Sequence, residues 1–279
     1  MMKYPSYSLV VIMIFTFSCK LPEKNNHQKD STENTIVQMD TLAGGNMVKS
    51  EAPDANTKIT QGYALPRFDD KIIQSPVNIL SDSTIEDSNQ AITLAFHSGI
   101  TAVENLGHTI QLDFKDGSTA FAYGKIYNAK QFHFHTPSEH LIDGMTFPME
   151  MHIVNVYKDS TSDKQTRYLV IALLFKMGRE NKFLREFLNA IPAEEEKDSL
   201  PNGTVKLEDL LNMIPKNDQG YYSYKGSLTT APYAETVDWI VKKYILEASP
   251  EQIYTIEKME GNNARHIQAL HGRKVSNHG

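Results

Sequence analysis

The amino-acid sequence predicts a mainly β fold of the α+β class, in which helices are peripheral and form the minority. The first observation is composition, because 13 Tyr, 12 Phe and one Trp accompany many short runs containing Val, Ile and Thr. The second is that turn segments rich in Gly and Asn separate these runs, as in strand-rich domains. The third is size, because 279 residues with 40 % hydrophobic content can bury one large core or two smaller ones.

Charge excludes one broad class of function. The formal net charge is -6 at pH 7. An acidic chain gives no electrostatic reason to bind the phosphate backbone of a nucleic acid, which basic side chains recognise. We therefore expect no nucleic-acid partner.

The N-terminus has the pattern of an export signal. Lys3 precedes the apolar run at residues 9–17, which is too short to span a bilayer but suits the core of a signal peptide. Ser18 and Cys19 follow directly and resemble a bacterial lipoprotein processing site. We therefore expect a signal peptide at residues 1–18 and an exported periplasmic, outer-membrane or cell-surface lipoprotein that meets the membrane only through a lipid on Cys19. An ordinary signal peptide with an incidental cysteine is the alternative.

Residues 19–60 form a different segment. Asn, Lys, Glu, Asp, Ser, Thr and Gln dominate this stretch, and no hydrophobic periodicity is sustained. Such composition is typical of a flexible tether. The single cysteine, Cys19, excludes an internal disulfide bond, so stability must come from the core and from any bound metal.

Residues 61–279 carry the predicted strands and helices. Residues 91–96 and 109–114 alternate between apolar and polar side chains, which predicts half-buried strands. Apolar side chains recur at helical spacing within residues 183–191 and 207–214, and Ser249 stands where a helix N-cap precedes a proline. Residues 237–244 fit both a helix and a strand, and periodicity alone does not decide between them.

Three histidines form a candidate metal site. Residues two apart on a strand project from one face, so His133 and His135 point together. A second alternating run at residues 150–154 is close enough in sequence to form a neighbouring antiparallel strand, and it carries His152. Three protein ligands with a fourth position left for water are what a catalytic zinc ion requires.

A His-x-His pair also occurs on half-exposed polar strands that bind no metal. The flanking residues favour a metal site here, because a metal-bound imidazole usually donates its second N–H to a carboxylate or an amide. Gln131 and Glu150 each lie two residues from a proposed ligand, on the same face of their strand. The sequence therefore predicts a zinc site with Gln131 and Glu150 as supporting partners.

At this point the sequence resembles the alpha-class carbonic anhydrases. The resemblance covers about residues 61–275, and its motifs occur in the family's order. They are Gln74 to Ile79, Asn105 to His108, Gln131 to His135, Ser138 to His140, Glu150 to His152, Gly226 to Thr230, and Asn263 to Arg265 with Gln268, Leu270 and Arg273. The resemblance implies a single domain on a large, mostly antiparallel twisted sheet, which hydrates carbon dioxide reversibly to bicarbonate and a proton.

The resemblance also implies roles for individual residues. His133, His135 and His152 hold Zn²⁺, with Gln131 and Glu150 as their partners. Thr229 orients the attacking hydroxide and donates its own hydrogen bond to Glu139, while His108 is the proton shuttle. The carbon dioxide pocket and bicarbonate site comprise Leu228, Val154, Val170, Val237, Trp239 and Thr230. The family's cis peptide bonds are expected at Ser75-Pro76 and Ala231-Pro232.

Two alternatives to an active enzyme stay open from the sequence. One is a carbonic anhydrase-like binding or adhesion protein without activity, although such relatives typically lose a zinc histidine and all three are present here. The other is a zinc-sequestering surface lipoprotein. The oligomeric state is not predicted.

Overall fold

The structure is a computed structural model that describes residues 72–88, 92–97, 99–157, 166–195, 197–199 and 205–279. The expected signal peptide and tether lie outside the described residues. Within that part the chain is mainly β, with short helices at its periphery, which confirms the predicted fold class.

The strands of the described part are short except for three that build the centre of the sheet. In chain order they are β1 (Asn78–Ile79), β2 (Ile85–Glu86), β3 (Thr93–Ala95), β4 (Ile100–Asn105), β5 (Ile110–Phe114), β6 (Thr119–Ala122), β7 (Lys125–His135), β8 (Leu141–Ile142), β9 (Met149–Tyr157), β10 (Arg167–Met177), β11 (Lys197–Ser199), β12 (Tyr221–Gly226), β13 (Val237–Lys242), β14 (Leu246–Ala248) and β15 (Ser276–His278). The described helices are α1 (Lys182–Leu188), α2 (Leu207–Leu211) and α3 (Pro250–Glu260), with a 3₁₀ turn at Ser81–Ser83.

One large sheet organises the domain. Its strand order among the described residues is β11-β4-β5-β7-β9-β10-β13-β12-β15-β2, with β14 beside β10 and with β6 joining β3 to β7. Most neighbours are antiparallel, whereas β10–β13, β10–β14 and β15–β2 are parallel. β1 and β8 form a separate two-stranded parallel sheet. The long strands β7, β9 and β10 therefore lie side by side at the centre of a large, mostly antiparallel sheet, the kind of sheet that the resemblance implied.

The two faces of this sheet bury different sets of side chains. Along β10, Leu169 and Ile171 pack into a large aromatic-rich core that also contains helices α1 to α3. The alternate residues Val170 and Ala172 join a smaller core around Trp239. Both faces of β10 are covered, which explains why its sequence is almost continuously apolar.

The helical predictions agree with the structure. Asn181 caps α1 by accepting hydrogen bonds from the backbone N–H groups of Phe183 and Leu184. Ser249 caps α3 in a capping box with Gln252, and Pro250 is its first residue. Residues 237–242 of the ambiguous segment form β13, because strand pairing with β10 and β12 buries both of its faces. Each helix in the described residues is too short or too polar to cross a membrane.

The backbone has the two expected cis peptide bonds, at Ser75-Pro76 and Ala231-Pro232. A further one, which the sequence analysis did not predict, lies at Thr136-Pro137, immediately after the last residue of β7. These turns adjoin the segments that carry the candidate site.

Candidate metal centre

The register of β7 and β9 brings the three predicted histidines together. The two strands are antiparallel, and His133 lies directly opposite His152. His135 is two residues further along β7 and so projects from the same face. The ring centroids are 5.0 Å apart for His133 and His135, 5.3 Å for His133 and His152, and 4.5 Å for His135 and His152.

One nitrogen from each ring faces a common point. The candidate ligand atoms of His133, His135 and His152 all lie within 4.8 Å of one another. His135 and His152 are buried, and His133 is half-buried. This spacing allows three imidazoles to contact a single ion.

Two of the rings are held by a partner on the side away from that point. Nδ1 of His133 lies 2.8 Å from Oε1 of Gln131, and Nε2 of His152 lies 2.7 Å from Oε1 of Glu150. Because an amide or carboxylate oxygen accepts, each of these ring nitrogens carries the proton. Nε2 of His133 and Nδ1 of His152 are therefore left with lone pairs, which is the tautomeric state that metal ligation needs.

The environment favours neutral imidazoles at two of the positions. Burial, followed by repulsion from the neighbouring imidazoles His135 and His152, holds the pKa of His133 well below its usual value. Burial likewise lowers the pKa of His135. At His152 burial also opposes the charge, but the adjacent Glu150 carboxylate outweighs it and raises the pKa. Neutral rings at His133 and His135 can bind a metal at neutral pH without first losing a proton.

Glu150 is the buried anchor of the site. Its Oε1 accepts from Nε2 of His152 and from Nδ1 of His140 at 2.6 Å, and its Oε2 accepts from the backbone N–H groups of Glu139 and His140, both at 2.8 Å. Burial opposes ionisation, yet His140 and His152 with their hydrogen bonds hold the pKa of Glu150 well below its usual range. An ionised carboxylate therefore fixes the orientation of His152.

The hydrogen-bond network continues away from the metal site. Nε2 of His140 lies 2.6 Å from the hydroxyl of Tyr224, which donates to Oγ of Ser75 at 3.0 Å. Burial is the main reason that the pKa of Tyr224 is raised well above its usual value. The network connects β9 to β12 and to the segment before β1. These hydrogen bonds hold the residues behind the metal site in place.

The chemistry of the donors fits zinc. Three imidazoles are the ligand set of many catalytic zinc sites. Both ring nitrogens of His135 are buried and have no hydrogen-bond partner among the described residues, an arrangement that is costly and that a metal bound at one nitrogen would partly relieve. His140, Glu150 and His152 also lie close enough to group around an ion, but their facing atoms are already bonded to one another.

The three histidines lie in the wall of a cavity of about 640 Å³. The predicted pocket residues Val154, Val170, Leu228 and Trp239 form its apolar part. His108, Thr229 and Thr230 also line it. Val237 is not among the lining residues; its side chain packs into the smaller core with Trp239.

The expected hydrogen bond from Thr229 to Glu139 is not formed. Oε1 of Glu139 accepts from the backbone N–H of Arg265 at 2.9 Å. Its Oε2 has no hydrogen-bond partner among the described residues and lies 3.6 Å from Nε2 of His135 and 3.9 Å from Nδ1 of His152. The carboxylate is thus directed at the imidazoles, so Thr229 shares the cavity with the metal site without bonding to Glu139.

His108 lies at an exposed position of the cavity. Its Nδ1 is 2.9 Å from the carbonyl oxygen of Leu106, and its own carbonyl accepts from Nδ2 of Asn263 at 2.9 Å. One ring nitrogen is thereby oriented by the backbone while the ring stays accessible to solvent. Accessibility of this kind is what a group that passes protons to bulk buffer requires.

The sequence analysis missed several residues that line the cavity. Tyr168 lies two residues before Val170 on β10, so the period-2 rule would have found it once Val170 was placed. Glu260 and Asn262 come from the end of α3 and the loop after it. No local pattern places them there, because their position depends on how α3 packs against β5 and β7.

Comparisons with known proteins identify relatives of this chain. The family model described as eukaryotic-type carbonic anhydrase matches residues 68–279. A carbonic anhydrase of Neisseria gonorrhoeae is 38 % identical over 209 residues, which cover 72 % of this chain and 76 % of that protein. A carbonic anhydrase of Pectobacterium carotovorum is 37 % identical over 203 residues, covering 72 % and 78 %.

Solved structures give the same result. The alpha-carbonic anhydrase of Thermovibrio ammonificans, solved in complex with the inhibitor sulfanilamide, superimposes with a TM-score of 0.67 at 35 % identity. The match covers 73 % of this chain and 86 % of that one. The chain therefore belongs to the eukaryotic-type carbonic anhydrase family, the alpha class, whose zinc enzymes reversibly hydrate carbon dioxide to bicarbonate and a proton.

Proposed function

We propose that His133, His135 and His152 hold a catalytic zinc ion in this chain and that the cavity beside them hydrates carbon dioxide. The observation that carries this proposal is the convergence of three ring nitrogens within 4.8 Å, one of them a buried nitrogen without a partner. When bound, zinc supplies hydroxide near neutral pH, because it lowers the pKa of a coordinated water to about 7, as is established for carbonic anhydrases.

The protein supplies orientation and a dry substrate site. Val154, Val170, Leu228 and Trp239 form an apolar wall, which suits a small uncharged molecule such as carbon dioxide. Thr229 and Thr230 place two hydroxyl groups in the same cavity, and hydrogen bonds from such groups orient the attacking oxygen and the bicarbonate product. The Glu139 carboxyl group lies within 4 Å of two of the imidazoles, where a carboxylate would stabilise a cation at the site.

Each turnover releases a proton that must leave the cavity. His108 is an exposed histidine on the cavity wall, and histidine is the side chain that most often acts as a general acid and base in proton transfer. We assign to His108 the transfer of that proton to buffer.

Single substitutions of the three histidines test the metal assignment. Changing His133, His135 or His152 to Ala removes one of three ligands, so we expect each variant to lose stoichiometric zinc and hydration activity. His97 is exposed and lies outside the cavity, so His97→Ala is the matched control and should keep both. Zinc content by atomic spectroscopy and hydration rate by stopped flow are the measurements. Full zinc and rate in all three variants would show that the site is elsewhere.

The same assay separates the enzyme from the two alternatives. A binding or adhesion protein would lack hydration activity even when purified with zinc. A zinc-sequestering lipoprotein would bind zinc without accelerating hydration. Rapid hydration by the zinc-containing chain supports the enzyme and is expected from neither alternative.

We infer further that the enzyme is exported and anchored by a lipid on Cys19. The support is the sequence pattern, in which a basic residue, an apolar run at residues 9–17 and Ser18-Cys19 precede a long polar stretch. A lipid at Cys19 would leave residues 20–60 as a spacer between the membrane and the catalytic domain.

Fractionation of cells that express the full chain tests the anchor. We expect the mature protein to begin at a lipid-modified Cys19 and to sediment with membranes, whereas Cys19→Ser should be soluble. Wild-type protein that is soluble and carries an unmodified Cys19 would overturn the anchor and favour an ordinary signal peptide.

A further inference from the structure

Glu260 is a buried acid in the wall of the reaction cavity. It is the last residue of α3, its side chain is 6 % exposed, and it is the one acidic residue among the described residues that line the cavity. A carboxyl group this deeply buried is uncommon unless it is paired with a charge. Within the described residues Glu260 has no ion-pair partner.

Its hydrogen bonds join two parts of the site. Oε2 accepts from the backbone N–H of Ile110 at 3.3 Å, and Oε1 lies 3.1 Å from the hydroxyl of Thr136. Thr136 directly follows His135, and Ile110 comes two residues after His108. The carboxyl group therefore lies between the segment that carries a proposed zinc ligand and the segment that carries His108.

The contacts of Thr136 accommodate both protonation states of Glu260. The Thr136 hydroxyl also lies 2.9 Å from the carbonyl oxygen of Gly261, which can only accept. A hydroxyl has one proton to donate. When it donates to Gly261, Oε1 of Glu260 must be the donor and hence protonated. When Glu260 is ionised, the hydroxyl turns and donates to Oε1 instead. Proton uptake and release at Glu260 thus need only a hydroxyl rotation.

We propose that Glu260 is a second proton-transfer residue of the cavity, which takes up protons from cavity water and passes them to buffer alongside His108. This inference rests on the proposed hydration activity. In the transfer an O–H bond of a cavity water breaks as an O–H bond forms at a carboxylate oxygen of Glu260, and the hydroxide that is left is the nucleophile for the next carbon dioxide. The O–H bond at Glu260 then breaks as a buffer base removes the proton, and no electrons are exchanged.

The acidity of Glu260 suits this role. Burial raises the pKa of its carboxyl group to about 8, and the hydrogen bonds from Ile110 and Thr136 offset only part of that effect. Proton transfer is most efficient when the pKa of the relay lies near the working pH. A carboxyl group with an ordinary pKa would be too weak a base to take protons efficiently at neutral pH.

The raised pKa of Glu260 is not caused by a charged neighbour. The elements and loops around it present both acids and bases, none of which forms an ion pair with it in the described part of the chain. They are His108 before β5, Asp113 on β5, Lys125, Lys130, His133 and His135 on β7, Lys182, Arg185 and Glu186 on α1, Glu251, Glu257 and Lys258 on α3, and Arg265 after it.

The first measurement follows the proton directly in the full-length protein. Side-chain carboxyl ¹³C resonances of glutamate report ionisation, and the Glu260 signal is assigned by its absence from Glu260→Gln or Glu260→Met. We expect a midpoint of about 8 in both zinc-loaded and zinc-stripped protein. A midpoint at the ordinary value of 4.5 would overturn the proposal, whether or not the chain hydrates carbon dioxide.

The second measurement is kinetic. Glu260→Gln has the same shape and can bond to Thr136 but cannot carry the proton. In dilute buffer that accepts protons poorly, we expect kcat to fall about threefold and to recover with imidazole, while kcat/KM is unchanged. The exposed residue Glu257 lies on the same helix, and Glu257→Gln should leave kcat unchanged. The double variant His108→Ala/Glu260→Gln should lose more than either single variant.

Two kinetic results would contradict the relay. One is a wild-type kcat for Glu260→Gln in dilute buffer. The other is a parallel fall of kcat and kcat/KM without rescue by imidazole, which would make Glu260 a residue that only holds the cavity wall.

Discussion

At the scale of single residues, the role that we propose for Thr229 depends on one atom, its hydroxyl oxygen. Thr229 lines the cavity with the three histidines but forms no hydrogen bond with either Glu139 oxygen. We therefore propose that its hydroxyl orients the attacking oxygen in the cavity and does not support the metal site through Glu139. Metal binding and chemistry should then respond differently to its removal.

We expect Thr229→Ala to keep its zinc and to lose about 100-fold in the hydration rate, the effect typical of removing one orienting hydrogen bond. Thr229→Ser, which retains the hydroxyl, is the matched control and should keep most of the rate. Zinc content and stopped-flow kcat/KM are the measurements. Equal rates in Thr229→Ala and wild type would show that Thr229 is only a turn residue and that its hydroxyl does not contribute to hydration.

The role that we propose for His108 belongs to a different step of the cycle. Because proton export follows the conversion of carbon dioxide, His108→Ala should lower kcat about threefold in dilute buffer and leave kcat/KM intact. The loss should be partial because Glu260 offers a second exit, and imidazole should restore the rate. His266 is exposed and does not line the cavity, so His266→Ala is the control. An unchanged kcat in His108→Ala would remove this residue from the proton path.

At the scale of secondary-structure elements, α3 links stability to the site. Its capping box is complete, and Ile253 and Ile256 bury its apolar face in the large core. Its last residue is Glu260, and the following loop supplies Asn263, whose Oδ1 accepts from the backbone N–H of Thr136 at 3.1 Å. The helix therefore positions one wall of the cavity.

Removing the cap should destabilise the protein without touching the chemistry. Oγ of Ser249 accepts from the backbone N–H of Gln252, so Ser249→Ala should lower the free energy of unfolding by about 1 kcal/mol. Urea unfolding of wild type and variant gives the difference. The exposed substitution Glu257→Gln on the same helix should change it far less. A wild-type midpoint for Ser249→Ala would show that the cap contributes nothing.

Elements with strong local signals could be predicted from the sequence. The cap at Ser249, the apolar faces of α1 and α2, and the shared face of His133 and His135 depend on residues a few positions apart. The remaining features could not be predicted, because they depend on contacts between residues that are far apart in the sequence. Residues 237–242 needed their neighbours β10 and β12 to be assigned as a strand, and the bond expected between Thr229 and Glu139 depended on how two distant loops meet.

At the scale of the whole molecule, the two faces of the large sheet have different roles. The face that carries the large core and the helices stabilises the domain, while the opposite face presents His133, His135 and His152 at the cavity. Val237 illustrates the limit of residue-by-residue transfer from a family, because here it packs into the smaller core with Trp239 and is not among the residues that line the cavity. The same central strands thus provide both rigidity and the ligand geometry.

Zinc titration of the metal-stripped, full-length chain tests the central claim most directly. Hydration activity is measured by stopped flow after each addition of zinc. Because three imidazoles form one site, activity should be absent without metal and should rise linearly to a plateau at one zinc per chain. Full activity in the stripped protein, or none at one zinc per chain, would contradict the account.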